Sequence, residues 1–473
     1  MPDTAPPADP ASSGASAEIA SFGVSADTGE TLPPVDLQAL ARAARSNPGG
    51  QAELNRRMAS ATFGAVIEIN EEALGDAGWG VVFARDDPDA GAIEAALGPL
   101  LDRRSAEAGK HYKLFKGDDG YQPGDTAEAW LARRGVGLDL VDPELGVPYF
   151  LVIVGGPETI PLDFQYRLDL YWACGRLHFA QAADYGAYAA NVVRYETATE
   201  PVARRAAMFA PRHDFDAATQ LFQTHVADPL SKRAPLNQFS WDLLLGDDAT
   251  KTALLDLLTG ARAGGPPALL FTGGHGMEFA ADDARLPANQ GALVCQEWPG
   301  PGTGPLKPDY WFGAADVPAA AAGFGTIHLL FACYGGGYGA VDTFRDAGGQ
   351  GRRIADHPGF AGLPQALMAN PAGGPLAVIA HIDRAFAYSF QTPSGGAQNQ
   401  GFREIMFALM LGRRAGSALD RFNLKWATVS TAIAERLRDP QADDDGLARL
   451  WIQRDDARNY VLFGDPAVKL RLG

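Results

Sequence analysis

Two predicted strand ends carry side chains that could perform nucleophilic chemistry. The apolar run ALLFTGG (268–274) leads directly into His275. The apolar run TIHLLFA (326–332) leads directly into Cys333. A cysteine thiol with a pKa of about 8.5 is mostly protonated at neutral pH and needs a nearby base or a positive field. A histidine at a neighbouring strand end can supply that base. The pattern therefore predicts a cysteine–histidine dyad.

Glycines follow both residues. Gly276 comes after the histidine, and the run YGGG (334–337) comes after the cysteine. Because glycine has no Cβ, the backbone N–H groups of Gly276 and Cys333 can approach a substrate carbonyl. Such an oxyanion hole is worth about 10²–10³ in rate. Taken alone, a cysteine after an apolar strand is usually a small buried hydrophobe. The two residues together, each followed by glycine, favour a catalytic site.

The rest of the chain supplies elements that could position this dyad. Short apolar runs alternate with amphipathic stretches, a rhythm typical of a largely parallel sheet covered by helices on both faces. The predicted strands are 79–84, 111–115, 149–156, 205–211, 268–274, 326–332 and 376–382, and the predicted helices are 90–109, 125–135, 214–230 and 250–263. Sheets of this kind place their chemistry at the carboxyl ends of strands. Both members of the predicted dyad occupy such positions.

The domain organisation follows from the same reading. The first 34 residues are rich in Pro, Ala, Ser and Asp, which favours disorder, and a short helix is predicted at 35–46. The strand–helix rhythm then runs twice, with a polar seam near 195–206. The predicted units are a disordered leader with the short helix (1–55), a non-catalytic α/β half (60–204) and a catalytic α/β half (205–473).

Composition excludes several classes of function. The formal net charge is −17, from 40 Lys plus Arg against 57 Asp plus Glu, which disfavours binding to nucleic acid and to anionic membranes. The three cysteines form no CxxC pair and are too few for a disulfide framework. We therefore expect no metal and no cofactor. No secretory signal and no run of eighteen apolar residues occurs, so we expect a cytoplasmic setting.

The two strand ends resemble those of caspase-fold (clan CD) cysteine peptidases, a group that includes caspases, gingipains and bacterial CHAT proteases. The sequence FACYG stands where caspases have Q-A-C-x-G, so the glutamine is missing and the match is to the wider fold. Further segments resemble landmarks of the gingipain-like (peptidase C25) group. These are YFLVIVGGPETIPLDFQ (149–165), CGRLHF (174–179) and YVLFGDPAVKLRL (460–472). The resemblance spans residues 79–473.

The resemblance implies a three-layer α/β/α fold of two tandem subdomains, with the dyad in the second. Cys333 would be the nucleophile, His275 the general base and acid, and the N–H groups of Gly276 and Cys333 the oxyanion hole. The reaction would be hydrolysis of protein or peptide substrates through a thioester acyl-enzyme. Gingipains are secreted, whereas this chain shows no signal peptide, which favours cleavage of selected intracellular proteins. A bacterial defence or regulated-proteolysis pathway, and a regulatory partner, remain open.

The residues do not decide which P1 side chain is selected or which of three candidate functions the chain has. In the resembling family the strand 376–382 borders the pocket for P1, the residue whose carbonyl is attacked, and here it is followed by Asp383 and Arg384. Asp383, which we favour, would select a basic P1 residue, and Arg384 an acidic one; surface ion pairing is the alternative. Phe386 could wall the pocket. The rival functions are a catalytically silent scaffold module and a transpeptidase that uses the same acyl-enzyme.

Overall fold

A computed structural model describes residues 19–45, 64–233, 236–262, 264–345, 351–392, 394–439 and 443–472. Two parts of the predicted disordered leader, residues 1–18 and 46–55, lie outside these ranges. Within the described part of the chain, no helix combines the length and the apolar character needed to cross a membrane.

The described elements alternate between strands and helices along the chain. The strands are β1 (Gly23–Ser25), β2 (Trp79–Val82), β3 (Tyr112–Phe115), β4 (Phe150–Val154), β5 (Ala173–Leu177), β6 (Arg205–Ala210), β7 (Ser240–Leu245), β8 (Leu269–Gly273), β9 (Gly276–Glu278), β10 (Leu293–Val294), β11 (Trp311–Phe312), β12 (Ile327–Phe331), β13 (Gly337–Tyr338), β14 (Val341–Arg345), β15 (Gly351–Arg353), β16 (Gly359–Phe360), β17 (Ala377–His381) and β18 (Tyr460–Gly464).

The helices follow the same order. They are α1 (Leu37–Arg45), α2 (Leu74–Ala77), α3 (Ala90–Ala108), α4 (Ala127–Ala132), α5 (Leu162–Leu168), α6 (Ala182–Thr197), α7 (Ala217–Phe222), α8 (Asp228–Ser231), α9 (Lys251–Thr259), α10 (Leu286–Asn289), α11 (Gly362–Met368), α12 (Gln400–Met410), α13 (Asp420–Arg438) and α14 (Asp444–Arg458).

A ten-stranded sheet forms the centre of the molecule, in the order β3-β2-β4-β5-β18-β17-β12-β8-β6-β7. Every neighbouring pair is parallel except β17 and β18, which are antiparallel. The two halves of the sheet therefore run in opposite directions and meet at β18. Because β17, β12, β8 and β6 are parallel neighbours, their carboxyl ends share one edge of the sheet.

The predicted fold class, a three-layer α/β/α arrangement around a largely parallel sheet, is confirmed. All seven predicted strands are present. Most are short, nearly continuous apolar runs that the sheet buries on both faces, whereas β3, at the sheet edge, is only partly buried. The sequence predicts two halves, and the strands of both halves join in one continuous sheet. The chain-terminal strand β18 makes the junction, since it pairs with β5 on one side and β17 on the other.

The N-terminal region differs from its sequence-based prediction. Disorder is predicted through residue 34, whereas Gly23–Ser25 forms β1, which pairs in parallel with β9. Phe22 and Val24 on this segment are fully buried. The short apolar run FGV has too little surface to predict a strand by itself, and it is ordered here because β9 and the surrounding aromatic side chains provide partners. The predicted helix at 35–46 is found as α1.

Candidate active site

Four neighbouring strands of the central sheet bring the candidate site together at one edge. His275 follows β8 and Cys333 follows β12, as the sequence predicts. The segment 385–387 follows β17, and Asp216 lies shortly after β6. The carboxyl ends of parallel strands meet at the same edge of a sheet, and this explains why residues so far apart in sequence converge.

His275 is paired with a buried carboxylate. Its Nε2 lies 2.9 Å from Oδ2 of Asp216, and the histidine side chain is fully buried. Asp216 is also the N-cap of α7, where it accepts hydrogen bonds from the backbone N–H groups of Ala218 and Thr219. Burial raises the pKa of Asp216, but the facing His275 and the hydrogen bonds from Thr219 outweigh this effect and hold the pKa well below its ordinary value.

This pairing fixes the role of each ring nitrogen of His275. An ionised carboxylate only accepts hydrogen bonds, so Nε2 carries the proton that Asp216 accepts. The other nitrogen, Nδ1, is buried and has no hydrogen-bond partner among the described residues. In the neutral imidazole Nδ1 then holds the free lone pair. In this arrangement Nδ1 is the ring nitrogen that can accept a proton.

Cys333 lies on a tight turn whose backbone packs against that of Gly276. A Cβ placed on Gly276 would be 1.9 Å from the carbonyl oxygen of Cys333, so only glycine fits after His275. The next residue, Tyr334, has φ +58°, a left-handed conformation that is uncommon for a residue with a side chain. Its N–H donates to the carbonyl of Asp383 at 2.6 Å, which holds the turn in place.

Two backbone N–H groups at this turn share one acceptor. The N–H of Gly276 donates to the carbonyl oxygen of Phe22 at 2.9 Å, and the N–H of Cys333 donates to the same oxygen at 3.0 Å. These are the two groups that the sequence predicts as an oxyanion hole. The distances fall within the 2.7–3.1 Å range, roughly, that such a hole requires. The structure thus places the peptide carbonyl of Phe22 between the backbone N–H groups of Gly276 and Cys333.

The thiol of Cys333 is enclosed by the N-terminal segment and by the chain after β17. Its Sγ accepts a hydrogen bond from the N–H of Ala385 at 3.2 Å and lies 3.7 Å from Oγ of Ser21. The residue is fully buried. Burial raises the pKa of the Cys333 thiol to about 12, although Arg384 and the contact with Ser21 act in the opposite direction. The enclosed thiol is therefore protonated at neutral pH.

The predicted specificity residues lie beside the site, with their side chains engaged elsewhere. Asp383 accepts a hydrogen bond from the N–H of Gly339 at 2.8 Å, and burial raises its pKa to about 6. Arg384 donates to the carbonyl of Pro33 at 2.6 Å. The ring of Phe386 packs edge-on against Phe344, with 4.8 Å between centroids, while its backbone pairs with Ser21.

Asp216 is the residue of this site that sequence reasoning missed. The sequence predicts the strand at 205–211 but does not connect the polar residues after it with His275. The signal available was the strand-end rule, which applies to APRHDFD (210–216) as it does to the other two strand ends. What the sequence does not contain is the strand order, which places β6 next to β8.

Comparisons with known proteins give structural neighbours only. No protein-family model matches the chain, and no curated protein matches it in sequence. One similar solved structure is the complex of Porphyromonas gingivalis RgpB pro- and mature domains, with 12% identity over 83% of this chain and 80% of that chain and a TM-score of 0.43. Another, described only as the structure of a protease, has 12% identity over 83% and 78% of the two chains and a TM-score of 0.44.

Proposed function

We propose that this chain is a cysteine endopeptidase of the caspase-fold, gingipain-like kind, with Cys333 as nucleophile and His275 as general base and acid. One observation carries the proposal: the N–H groups of Gly276 and Cys333 converge on a single peptide carbonyl oxygen, that of Phe22. A pair of amides aimed at one carbonyl, with a thiol and an imidazole on the adjoining residues, is the arrangement that acyl transfer requires.

The residues support a complete sequence of steps. Nδ1 of His275 takes the thiol proton, and Sγ of Cys333 bonds to the substrate carbonyl carbon. The N–H groups of Gly276 and Cys333 stabilise the negative oxygen that forms. His275 then protonates the departing amine as the C–N bond breaks, which leaves a thioester. A water molecule, deprotonated by His275, attacks the thioester and releases the carboxylic acid and the thiol.

Asp216 acts in these steps through His275. Its carboxylate holds Nε2 protonated, so that Nδ1 is available as the base, and it stabilises the imidazolium that forms after proton transfer. The intracellular setting predicted from the sequence stays part of the proposal. It fits the three cysteines, all of which are buried free thiols.

The proposal is tested on the purified 473-residue chain with a randomised peptide library and a peptidyl electrophile. We expect slow library cleavage and covalent labelling, both of which disappear in Cys333→Ala. The matched control is Cys174→Ala, which removes a second buried thiol, on β5, and should change neither readout. A chain that neither cleaves any peptide nor labels at Cys333 would refute the proposal. Cleavage that survives in Cys333→Ala would refute it equally.

A further inference from the structure

The N-terminal segment crosses the candidate site in an extended conformation and pairs on both sides of one peptide bond. Before that bond, the N–H of Phe22 donates to the carbonyl of Ala385 at 3.1 Å, and the N–H of Ala387 donates to the carbonyl of Ala20 at 3.2 Å. After the bond, Gly23–Ser25 pairs in parallel with β9. The Phe22–Gly23 bond is therefore held from both ends.

The catalytic groups face that same bond. The Phe22 carbonyl oxygen occupies the oxyanion hole described above. A Cβ placed on Gly23 would lie 3.1 Å from Sγ of Cys333, so the thiol lies against the residue that follows the carbonyl. The ring of His275 has its centroid 5.9 Å from the ring of Phe22. In a peptidase these positions belong to the scissile bond, with Phe22 as the P1 residue.

The side chain of Phe22 fills an aromatic pocket. Its ring centroid lies 4.7 Å from that of Phe331, 5.7 Å from that of Phe390 and 6.3 Å from that of Phe222. Phe22 is fully buried, and the ring of His275 lies beside it as well. Gly273 leaves space for the ring of Phe222 at this pocket, since a Cβ on residue 273 would be 2.0 Å from that ring.

This pocket fits an aromatic P1 side chain and disfavours a charged one. A carboxylate or a guanidinium placed among three phenylalanine rings would be desolvated without a partner, which is strongly unfavourable. The charged side chains around the site are already engaged with other partners. His275, whose ring lies beside Phe22, is bonded to the carboxylate of Asp216. The carboxylate of Asp383 is bonded to the N–H of Gly339, and the guanidinium of Arg384 is bonded to the carbonyl of Pro33.

We propose that the enzyme selects an aromatic residue at P1 and that its own Phe22–Gly23 bond is its built-in substrate. This inference rests on the proposed peptidase function and adds the substrate class. In the self-cleavage, Sγ of Cys333 bonds to the carbonyl carbon of Phe22, and the amine of Gly23 leaves with a proton from His275. Water then hydrolyses the thioester, which gives a Phe22 carboxylate, a free Gly23 amine and the regenerated thiol.

The pairing of β1 with β9 makes this reaction slow. After the C–N bond breaks, Gly23 is still held beside the thioester by that pairing, so its amine competes with water for the acyl group. The peptide bond then re-forms in many of the turnovers. Until hydrolysis succeeds, the segment covers Cys333 and keeps other substrates out.

The test compares three acetylated tripeptide aminocoumarin amides, Ala-Ser-Phe, Ala-Ser-Arg and Ala-Ser-Asp, of which the first copies residues 20–22. The enzymes are wild type, Phe22→Asp, which places a charge in the pocket and drives the segment out, and Phe22→Ala, which removes the ring without adding a charge. Cys333→Ala in each background is the inactive control. Intact-mass measurement follows the wild-type chain during incubation for a product that begins at Gly23.

We expect the Phe22 variants to cleave the Phe substrate at least ~100-fold faster than the Arg or Asp substrates, because of the unpaired charge in the pocket. We also expect them to exceed wild type on that substrate by at least ~10-fold. Wild type should form the Gly23 chain slowly, and Cys333→Ala should not form it.

A variant that prefers the Arg or the Asp substrate overturns the inference and leaves the peptidase proposal standing. If no substrate is cleaved by any folded variant and Cys333 takes up no peptidyl electrophile, the peptidase proposal falls with it. If neither Phe22 variant folds, the intact-mass measurement decides alone: a Cys333-dependent cut at Phe22–Gly23 supports the inference, and an uncut chain or a cut elsewhere overturns it.

Discussion

The reactivity of the Cys333 thiol should depend on whether the N-terminal segment lies over it. The perturbation is Phe22→Asp. The ring of Phe22 is fully buried, and loss of a buried phenylalanine ring costs about 3–5 kcal/mol. An unpaired carboxylate in its place adds a further penalty. Together these changes shift the balance between the docked and the undocked segment by a factor of at least ~100 towards the undocked state.

The size of the effect follows from the pKa of Cys333. With the segment in place that pKa is about 12, so the thiolate fraction near neutral pH is on the order of 10⁻⁵. A solvated thiol with a pKa of about 8.5 is ionised about 3,000-fold more often. The thiolate of the enclosed Cys333 is more basic and is therefore the better nucleophile once it forms. With a Brønsted slope of about 0.4–0.5, this greater nucleophilicity offsets the 3,000-fold difference by a factor of roughly 25 to 50. We therefore expect about 100-fold faster alkylation of Cys333 in the variant. Easier access of the reagent to the uncovered thiol would add to this factor.

The assay is alkylation by iodoacetamide at neutral pH, followed by mass spectrometry of the three cysteine-containing peptides. Cys174 and Cys295 are internal controls, because burial raises the pKa of both thiols and neither touches the N-terminal segment in the described contacts. Their rates should not change. Equal Cys333 rates in wild type and variant would refute the reasoning. A parallel rise at all three cysteines would show instead that the variant is unfolded.

Three further substitutions test the site and its surroundings, the first two in the Phe22→Asp background. Asp216→Asn should lower kcat at least ~10-fold with little change in KM, because the catalytic imidazole loses the carboxylate that fixes its tautomer, whereas the exposed Asp214→Asn should have no effect. Gly276→Ala should lower kcat by about 10²–10³, since its Cβ would collide with the carbonyl of the nucleophile and displace an oxyanion donor; Gly274→Ala, whose Cβ would meet nothing closer than 3.6 Å, is the control. Asp169→Asn should flatten the pH dependence of stability. Burial raises the pKa of Asp169 to about 8, so between about pH 4 and pH 8 this group loses its proton on unfolding. In wild type, the free energy of unfolding measured in urea should therefore fall as pH rises, by up to ~1.4 kcal/mol per pH unit. The variant should not show this contribution.

The parts of the fold that the sequence predicts are those encoded by local patterns. Runs such as Phe150–Val154 are apolar at every position, which is the mark of a strand buried on both faces. The candidate site residues His275 and Cys333 are predictable because a general rule places function at strand ends. Both inferences need only the residues in one short window of sequence.

The parts that the sequence does not predict depend on contacts between distant segments. The pairing of Asp216 with His275 can be predicted only when β6 is known to lie beside β8. The strand β1 has three residues, and it is ordered by β9, more than 250 residues later in the chain. The strand β18 is antiparallel to β17, which reverses the direction of half the sheet. The sequence of β18 alone does not predict this antiparallel pairing.

Under the proposed function, latency and specificity would arise from the same set of contacts. The segment that fills the aromatic pocket with Phe22 also excludes water from Cys333 and so raises its pKa. Removal of the segment would expose three phenylalanine rings and the thiol together, which creates an apolar binding site and a more reactive nucleophile in one step. As long as the chain is intact, the tethered segment competes at an effective concentration on the order of millimolar. Hydrolysis of the Phe22–Gly23 bond abolishes this advantage, because the released peptide must then compete as a free ligand. If the proposed self-cleavage occurs, a protein substrate with an accessible aromatic residue replaces the segment only after that cut, which would make self-cleavage the step that commits the chain to other substrates.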